Sequence, residues 1–251
     1  MRQDMKHLKI LSLILIILFI GCPDSPNNNN ENEDCLKYVE GFLEPISEGN
    51  YWEREQLAYY AGQIDSSLTL TGRIIIEGVM SLSINNTVYL VGLQRVIYPG
   101  GIPNVVANLL WNGPNGLYYL GMIAPDDTLI LEPSIRYKYP VDVGESWSVQ
   151  CYDYDPYERK IYLSDTLVYT CVAQNEPFIT PIDTFNTIVY HYYYHPAEDI
   201  LEFWHSFQYF SPGIGPVGTE VYSSFDTIYP YKSRNVKDLD LIIRLTDYCL
   251  H

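Results

Sequence analysis

The side chains best suited to chemistry lie in the second half of the chain. His191 and His195 stand four apart, with Glu198, Asp199 and His205 close behind. Imidazole nitrogens and carboxylates are common ligands of Zn2+ and related ions. On a helix the two histidines would converge on one ion. On a strand they face the same side but lie roughly 13 Å apart. Tyr192-Tyr193-Tyr194 between them favours the strand, so a site would need a hairpin near Pro196 to bring the later ligands back. Surface histidines on such a hairpin are the simpler reading. Asp153, Asp155 and Glu158 offer clustered oxygen donors of the kind that hold Ca2+, but the glycine and spacing of an EF-hand are absent. A solvated acidic loop accounts for them as well, and for Asp126-Asp127. With 31 acidic residues, some pair will have glycosidase separation by number alone, so none can be singled out. No G-x-S-x-G, H-E-x-x-H, P-loop or dinucleotide-binding glycine pattern occurs. The sequence therefore implies no catalytic residue and no cofactor.

The five cysteines divide into one and four. Cys22 follows a basic segment (Arg2, Lys6, Lys9) and an apolar run from Ile10 to Ile20 interrupted only by Ser12. That run has signal-peptide length and falls short of the roughly 20 residues needed to span a bilayer. The junction Phe19-Ile20-Gly21-Cys22 resembles the bacterial lipobox, in which a small residue precedes the cysteine that receives diacylglycerol. The resemblance implies lipidation at Cys22 and cleavage before it. Cys35, Cys151, Cys171 and Cys249 remain, and four cysteines allow three pairings. Cys35–Cys249 would join the two ends of the domain, and Cys151–Cys171 would join neighbouring strands. A thiolate metal site lacks any C-x-x-C spacing.

The elements that would position these groups are strands. Tyr is abundant, at 24 residues, and β-branched runs recur at 72–76, 88–91, 166–169 and 187–190. Turn signals separate them: Asn85-Asn86, Pro99-Gly100-Gly101, Asn112-Gly113-Pro114-Asn115-Gly116 and Pro212-Gly213. Glu53–Tyr60 reads as a short helix or a strand. The fold class is all-β and antiparallel, a sandwich or a curved half-barrel. Pro45-Ile46-Ser47-Glu48-Gly49-Asn50-Tyr51-Trp52 is echoed by Pro140-Val141-Asp142-Val143-Gly144-Glu145-Ser146-Trp147. In each, proline stands outside the ladder, glycine turns the chain and tryptophan begins a core-facing strand. Two related halves follow, 36–139 and 140–251, the second ending in a strand over Leu239–Leu245. Residues 1–21 form the signal peptide, and 22–35, rich in Asn, Pro and acids, form a flexible tether.

Three segments of the second half resemble a loose family of bacterial lipoproteins and secreted β-domains. They are Tyr139-Pro140-Val141-x-Val143-Gly144-x-Ser146-Trp147, Ile179-Thr180-Pro181-x-x-Thr184-Phe185-Asn186, and Tyr209-Phe210-Ser211-Pro212-Gly213-Ile214-Gly215-Pro216-Val217. The family's segments have the forms P-L-x-V-G-x-x-W, T-P-A-G-T-F and Y-A-P-G-V-G-x-V. This chain departs at Ile182-Asp183, where the family usually has Ala-Gly. The resemblance implies a β-rich, exported, lipid-anchored protein and carries over no activity.

Cleavage before Cys22 removes three basic residues and one acid, taking the formal charge from -16 to -18 over about 230 residues. Such a charge disfavours nucleic acid and anionic membrane surfaces. The expected function is that of a non-enzymatic display or binding domain. It would be held by lipid in the cell envelope, at the outer membrane on either face, and bind an envelope protein or a polysaccharide. The alternative is a carrier of a lipid or other apolar ligand in a curved-sheet cavity, lined by the tyrosines. A carboxylate-dependent glycoside hydrolase comes third.

Overall fold

The structure is a computed structural model that describes residues 35, 40–60, 63–97, 106–194, 203–224, 231 and 239–251. The signal peptide, Cys22, the tether up to residue 34 and His195 lie outside the described residues. Two runs of six strands follow one another along the chain. The first comprises β1 (Tyr51–Tyr60), β2 (Gln63–Ile84), β3 (Thr87–Ile97), β4 (Ala107–Gly113), β5 (Gly116–Ile123) and β6 (Thr128–Lys138). The second comprises β7 (Ser146–Asp155), β8 (Lys160–Ile179), β9 (Thr184–Tyr194), β10 (Phe203–Ser211), β11 (Gly215–Ser224) and β12 (Leu239–Cys249).

All twelve strands belong to one antiparallel sheet in the order β6-β5-β4-β3-β2-β1-β12-β11-β10-β9-β8-β7. The sheet is single, so the sandwich alternative gives way to a curled sheet that nearly closes into a barrel. Its two ends meet at a seam between β6 and β7, in the middle of the chain. Side chains bridge that seam where a ladder does not. Trp147 Nε1 donates to the Arg136 carbonyl at 3.1 Å, Lys138 pairs with Glu145, and the Tyr190 hydroxyl donates to the Lys138 carbonyl at 2.6 Å.

Residues 53–60 lie wholly within β1, and the C-terminal strand runs past Leu245 to Cys249. Asn85 and Asn86 make the two-residue turn between β2 and β3, both with positive φ, as a right-twisted hairpin requires. The β8–β9 turn at Thr180–Asp183 needs no glycine. Neither Ile182 nor Asp183 has positive φ, and the Thr180 hydroxyl donates to the Asp183 carbonyl while accepting from the amides of Ile182 and Asp183.

The internal echo is realised bond for bond. Gly49 and Gly144 have φ of 88° and 92°, and Trp52 and Trp147 are the second residues of β1 and β7. The Gly49 amide donates to the Ile76 carbonyl and the Ile76 amide to that of Asn50. At the same spacing, Gly144 donates to Cys171 and Cys171 to Glu145. A β-strand bound at its first residue in this way cannot slip without moving every side chain to the other face.

The tyrosines are core. Tyr119, Tyr169, Tyr190 and Tyr209 are buried, and Trp147, Tyr169 and Tyr192 stack successively at 6.2 and 4.7 Å. The Tyr209 hydroxyl donates to Glu220 and that of Tyr190 to the Lys138 carbonyl, both at 2.6 Å, so burial of those rings does not strand the polar tip, whereas the Tyr119 hydroxyl is buried without a hydrogen-bond partner. Among the described residues the exposed ones, Tyr157, Tyr162 and Tyr193, are scattered over different strands and a hairpin tip rather than arranged in a row.

Candidate functional site

The interior of the curled sheet holds a polar chamber. Residues 43–45, ahead of β1, are buried. Backbone bonds hold this segment in place: the Phe42 carbonyl accepts from the Gly213 amide at 2.6 Å, and the Glu44 carbonyl accepts from Asn112 Nδ2 at 2.9 Å. Leu43 thereby joins the apolar core, and the next side chain, Glu44, is 1% exposed. Its Oε1 accepts from Gln94 Nε2 of β3 at 2.6 Å. Around it stand Arg54 of β1, Arg136 of β6 and Gln208 of β10, which accepts from the Tyr137 hydroxyl at 2.6 Å. These groups line a cavity of about 100 Å3 whose apolar walls include Ile74, Leu110 and Phe210.

Burial pushes the Glu44 carboxyl up to about 7, against the opposing pull of the Gln94 hydrogen bond and the charges of Arg136 and Arg54. Burial likewise raises the Tyr137 hydroxyl to about 12. Burial opposes the charge on Arg136, but Tyr137 and Tyr169 more than offset it, so the guanidinium keeps its proton. Between its unfolded value of 4.5 and about 7, Glu44 binds more protons in the folded than in the unfolded chain. Stability therefore falls as pH rises through that window, by roughly 3 kcal/mol at 1.36 kcal/mol per pH unit. Urea titrations below and above this window are expected to show that fall, and Glu44→Gln should remove it. Parallel pH profiles for the two proteins would contradict the assignment.

The metal-ligand candidates do not gather. Asp155 accepts from the amides of Tyr157 and Glu158 at 2.8 and 3.0 Å, which caps the β7–β8 hairpin and lowers its pKa. Glu158 pairs with Lys160, and Asp153 stands opposite Tyr162 in the β7–β8 ladder. Among the described residues, no group of three or more His, Cys, Asp or Glu side chains is placed to hold a metal. Asp126 and Asp127 have a structural task at the seam. Asp127 accepts from the Ile161 amide at 2.6 Å and Asp126 from the Tyr154 hydroxyl at 3.2 Å, tying the β5–β6 turn to the β7–β8 hairpin.

His191 meets His205. On paired strands β9 and β10 they are diagonal neighbours, His191 Nε2 lying 3.1 Å from His205 Nδ1. His205 is fully buried, and burial together with His205 pushes His191 down to about 4. His191 is therefore neutral at physiological pH, and its ring stacks on Phe207.

Cys35 and Cys249 form a disulfide, with Cα atoms 5.0 Å apart. The expected Cys151–Cys171 bridge is corrected by the register: both are free thiols. Cys151 stands opposite Asp165, so Cys171 lies six positions further along β8, about 20 Å away by strand rise.

Sequence reasoning missed the chamber. Glu44, Arg54, Gln94, Arg136 and Gln208 are scattered over five segments, the first ahead of β1 and the others on four strands, and no spacing in the sequence links them.

No family model and no curated protein matches the chain. Two crystal structures are similar over most of it. One is a provisionally named lipoprotein from Parabacteroides distasonis, 16% identical, with TM-score 0.47, covering 86% of this chain and 100% of that one. The other is a provisionally named exported protein with a YmcC-like fold from Bacteroides fragilis, 14% identical, with TM-score 0.43, covering 83% of this chain and 99% of that one.

Proposed function

We propose that the chain is a lipid-anchored lipoprotein of the bacterial cell envelope, held at the outer membrane, whose barrel is a non-enzymatic display or binding domain. The observation that carries this reading is the Cys35–Cys249 disulfide, thirteen residues after the lipobox cysteine. Structural disulfides persist in oxidising compartments, which agrees with the signal peptide. The disulfide joins the start of the domain to its last strand.

The interior favours this reading over its two rivals. Cavities of about 80 and about 100 Å3 lie well below the roughly 300 Å3 at which ligand pockets begin, so neither would take an acyl chain. The chamber is lined by one carboxylate, Glu44, where a glycosidase needs two facing the bond. The inward packing of the tyrosines supports an envelope protein as partner more than a polysaccharide stacked on aromatic rows.

Metabolic labelling with an alkynyl fatty acid tests the anchor. Label should enter the wild-type protein, which should partition with membranes, and Cys22→Ser should lose both properties. Label retained by that variant would overturn lipidation at Cys22.

A further inference from the structure

We propose that the rim of the barrel at which the tether joins is a docking face for the bilayer, entered to headgroup depth by a small set of exposed apolar side chains. This goes beyond the display reading and rests on it in taking Cys22 as the lipidated residue.

The topology defines the rim. In an antiparallel meander, alternate connections fall at the same end. The end at which β1 begins therefore also carries the β2–β3, β4–β5, β6–β7, β8–β9 and β10–β11 connections and the last residues of β12. The Phe42 carbonyl, accepting from the Gly213 amide, ties the segment before β1 to the β10–β11 turn. The Cys35–Cys249 disulfide fixes the incoming chain at this same rim, since Cys249 stands opposite Tyr51, the first residue of β1.

The rim is studded with apolar side chains. Phe42, Val88, Leu90, Val143, Ile179 and Ile182 lie on or beside these connections, and each is between 42 and 71% exposed. Single exposed apolar residues are ordinary on any protein, so a reason other than exposure is needed. Val143 supplies one. It precedes Gly144 in the repeated turn, and its counterpart before Gly49 is Glu48, so the turn itself does not demand an apolar residue there. In the β8–β9 turn the Thr180 hydroxyl bonds only the amide of Ile182, whose side chain points to solvent at 43% exposure. Val88 and Leu90 stand on a projecting hairpin: β1 pairs with β2 no further than Ile75, and Val79 to Ile84 pair with β3 alone.

Reach selects the occupant. The thirteen-residue connection from Cys22 to Cys35 spans roughly 45 Å at full extension. The opposite rim exposes apolar side chains too, Tyr157 and Leu163 of the β7–β8 hairpin among them. It stands a strand's length away, roughly 30 Å by the ten residues of β1. To touch the bilayer with that rim, the tether would have to run back along the barrel for about two-thirds of its extended length. The near rim meets the bilayer with the chain slack, and attachment holds its apolar side chains at high effective concentration beside the surface.

Charge sets the depth and the kind of lipid. Glu48, Asp142 and Asp183 are exposed among the apolar side chains. Carboxylates stay in water, so the apolar tips reach the boundary of headgroups and acyl chains while the acids remain among the headgroups. Anionic headgroups would repel them, and the surface that fits is zwitterionic.

The test uses the mature lipidated chain, its acyl mass confirmed by intact mass spectrometry, in phosphatidylcholine vesicles whose acyl chains carry bromine, a contact quencher of indole. Val143→Trp and Ile182→Trp report on the tether rim, and Tyr157→Trp on the opposite one. Relative to wild type, the added emission of the first two should fall by about half or more, and that of the third should be unchanged. Ile179→Glu with Ile182→Glu, added to Val143→Trp, should restore its emission, which separates docking from mere nearness to the anchor. Equal quenching at the two rims, or quenching indifferent to the paired glutamates, would overturn the docking face and leave the anchor intact. A chain recovered without acyl mass would overturn the anchor, and the docking face with it.

Discussion

Trp52→Ala is expected to lower the unfolding free energy by about 3–5 kcal/mol, the range for removing a fully buried large aromatic. Trp52 has no exposed surface and lies within the apolar cluster formed by β1, β2 and β8 to β12. Its indole Nε1 donates to the Ile214 carbonyl at 2.7 Å, a bond between β1 and the β10–β11 turn. Gly215, in the left-handed region at φ 110°, packs its backbone on the same ring: a Cβ there would stand 3.1 Å from Nε1. Truncation thus opens a cavity and leaves a buried carbonyl without its donor. Trp52→Phe separates the two effects, since it keeps most of the volume and should cost about 1–3 kcal/mol. Urea unfolding followed by far-ultraviolet circular dichroism measures both. A loss below about 1 kcal/mol for the alanine variant would show that the turn does not depend on this ring. The counterpart Trp147 bonds to β6 across the seam and is slightly exposed at 8%, so its removal should cost less and loosen the barrel closure first.

These two tryptophans also show what can be read from sequence in such a chain. A proline, a glycine and a tryptophan at repeated spacing correspond to the same turn, the same three-residue hydrogen-bond exchange and the same inward ring in both halves. Strand identity was legible because β-branched and aromatic runs are bounded by turn residues with their own local chemistry, as at Asn85-Asn86. Closure was not. Whether an alternating strand turns Arg136 or Ile135 toward the interior depends on which way the sheet curls, and that is set by twist accumulated over twelve strands. For the same reason the sequence alone does not place Gln94 and Gln208 on the interior face. The Cys151–Cys171 expectation failed on register alone: the two strands are neighbours, but pairing Cys151 with Asp165 slides Cys171 beyond the reach of a disulfide. The long strands, 22 residues for β2 and 20 for β8, bend at irregularities between Ile76 and Val79 and between Ala173 and Glu176. Gly78 and Asn175, the latter at φ 54°, sit at those bulges, but a lone glycine or asparagine within a long strand-like run does not fix where the register shifts.

Removing the Cys35–Cys249 disulfide by Cys249→Ser is expected to cost about 2–5 kcal/mol, with the chain-entropy limit near the upper figure for a loop this long. The two cysteines are 214 residues apart in sequence, so the bond closes a ring around nearly the entire barrel. The noncovalent contacts of that end are specific. Cys249 is opposite Tyr51 in the β1–β12 ladder, Leu250 is fully buried, and the His251 amide donates to Asn50 Oδ1 at 2.7 Å. Asn50 in turn donates to the Pro45 carbonyl, one residue from the buried Glu44. Loss of the disulfide should therefore act beyond β12. Hydrogen exchange is expected to rise first in β1 and β12, then at the Glu44 segment, while the β4–β5 and β9–β10 hairpins keep their protection. Alkylation of the mature wild-type protein in denaturant should label two thiols, Cys151 and Cys171, without reductant and four with it. Four labels without reductant would mean that the bond is absent. A stability change under about 1 kcal/mol would mean that the β1–β12 ladder closes the two halves without covalent help. The location of the bond explains why help is needed. The meander supplies a loop between every other pair of adjacent strands, but β1 and β12 stand side by side in the sheet with the whole chain between them, so their pairing bears the largest loop-closure entropy in the fold.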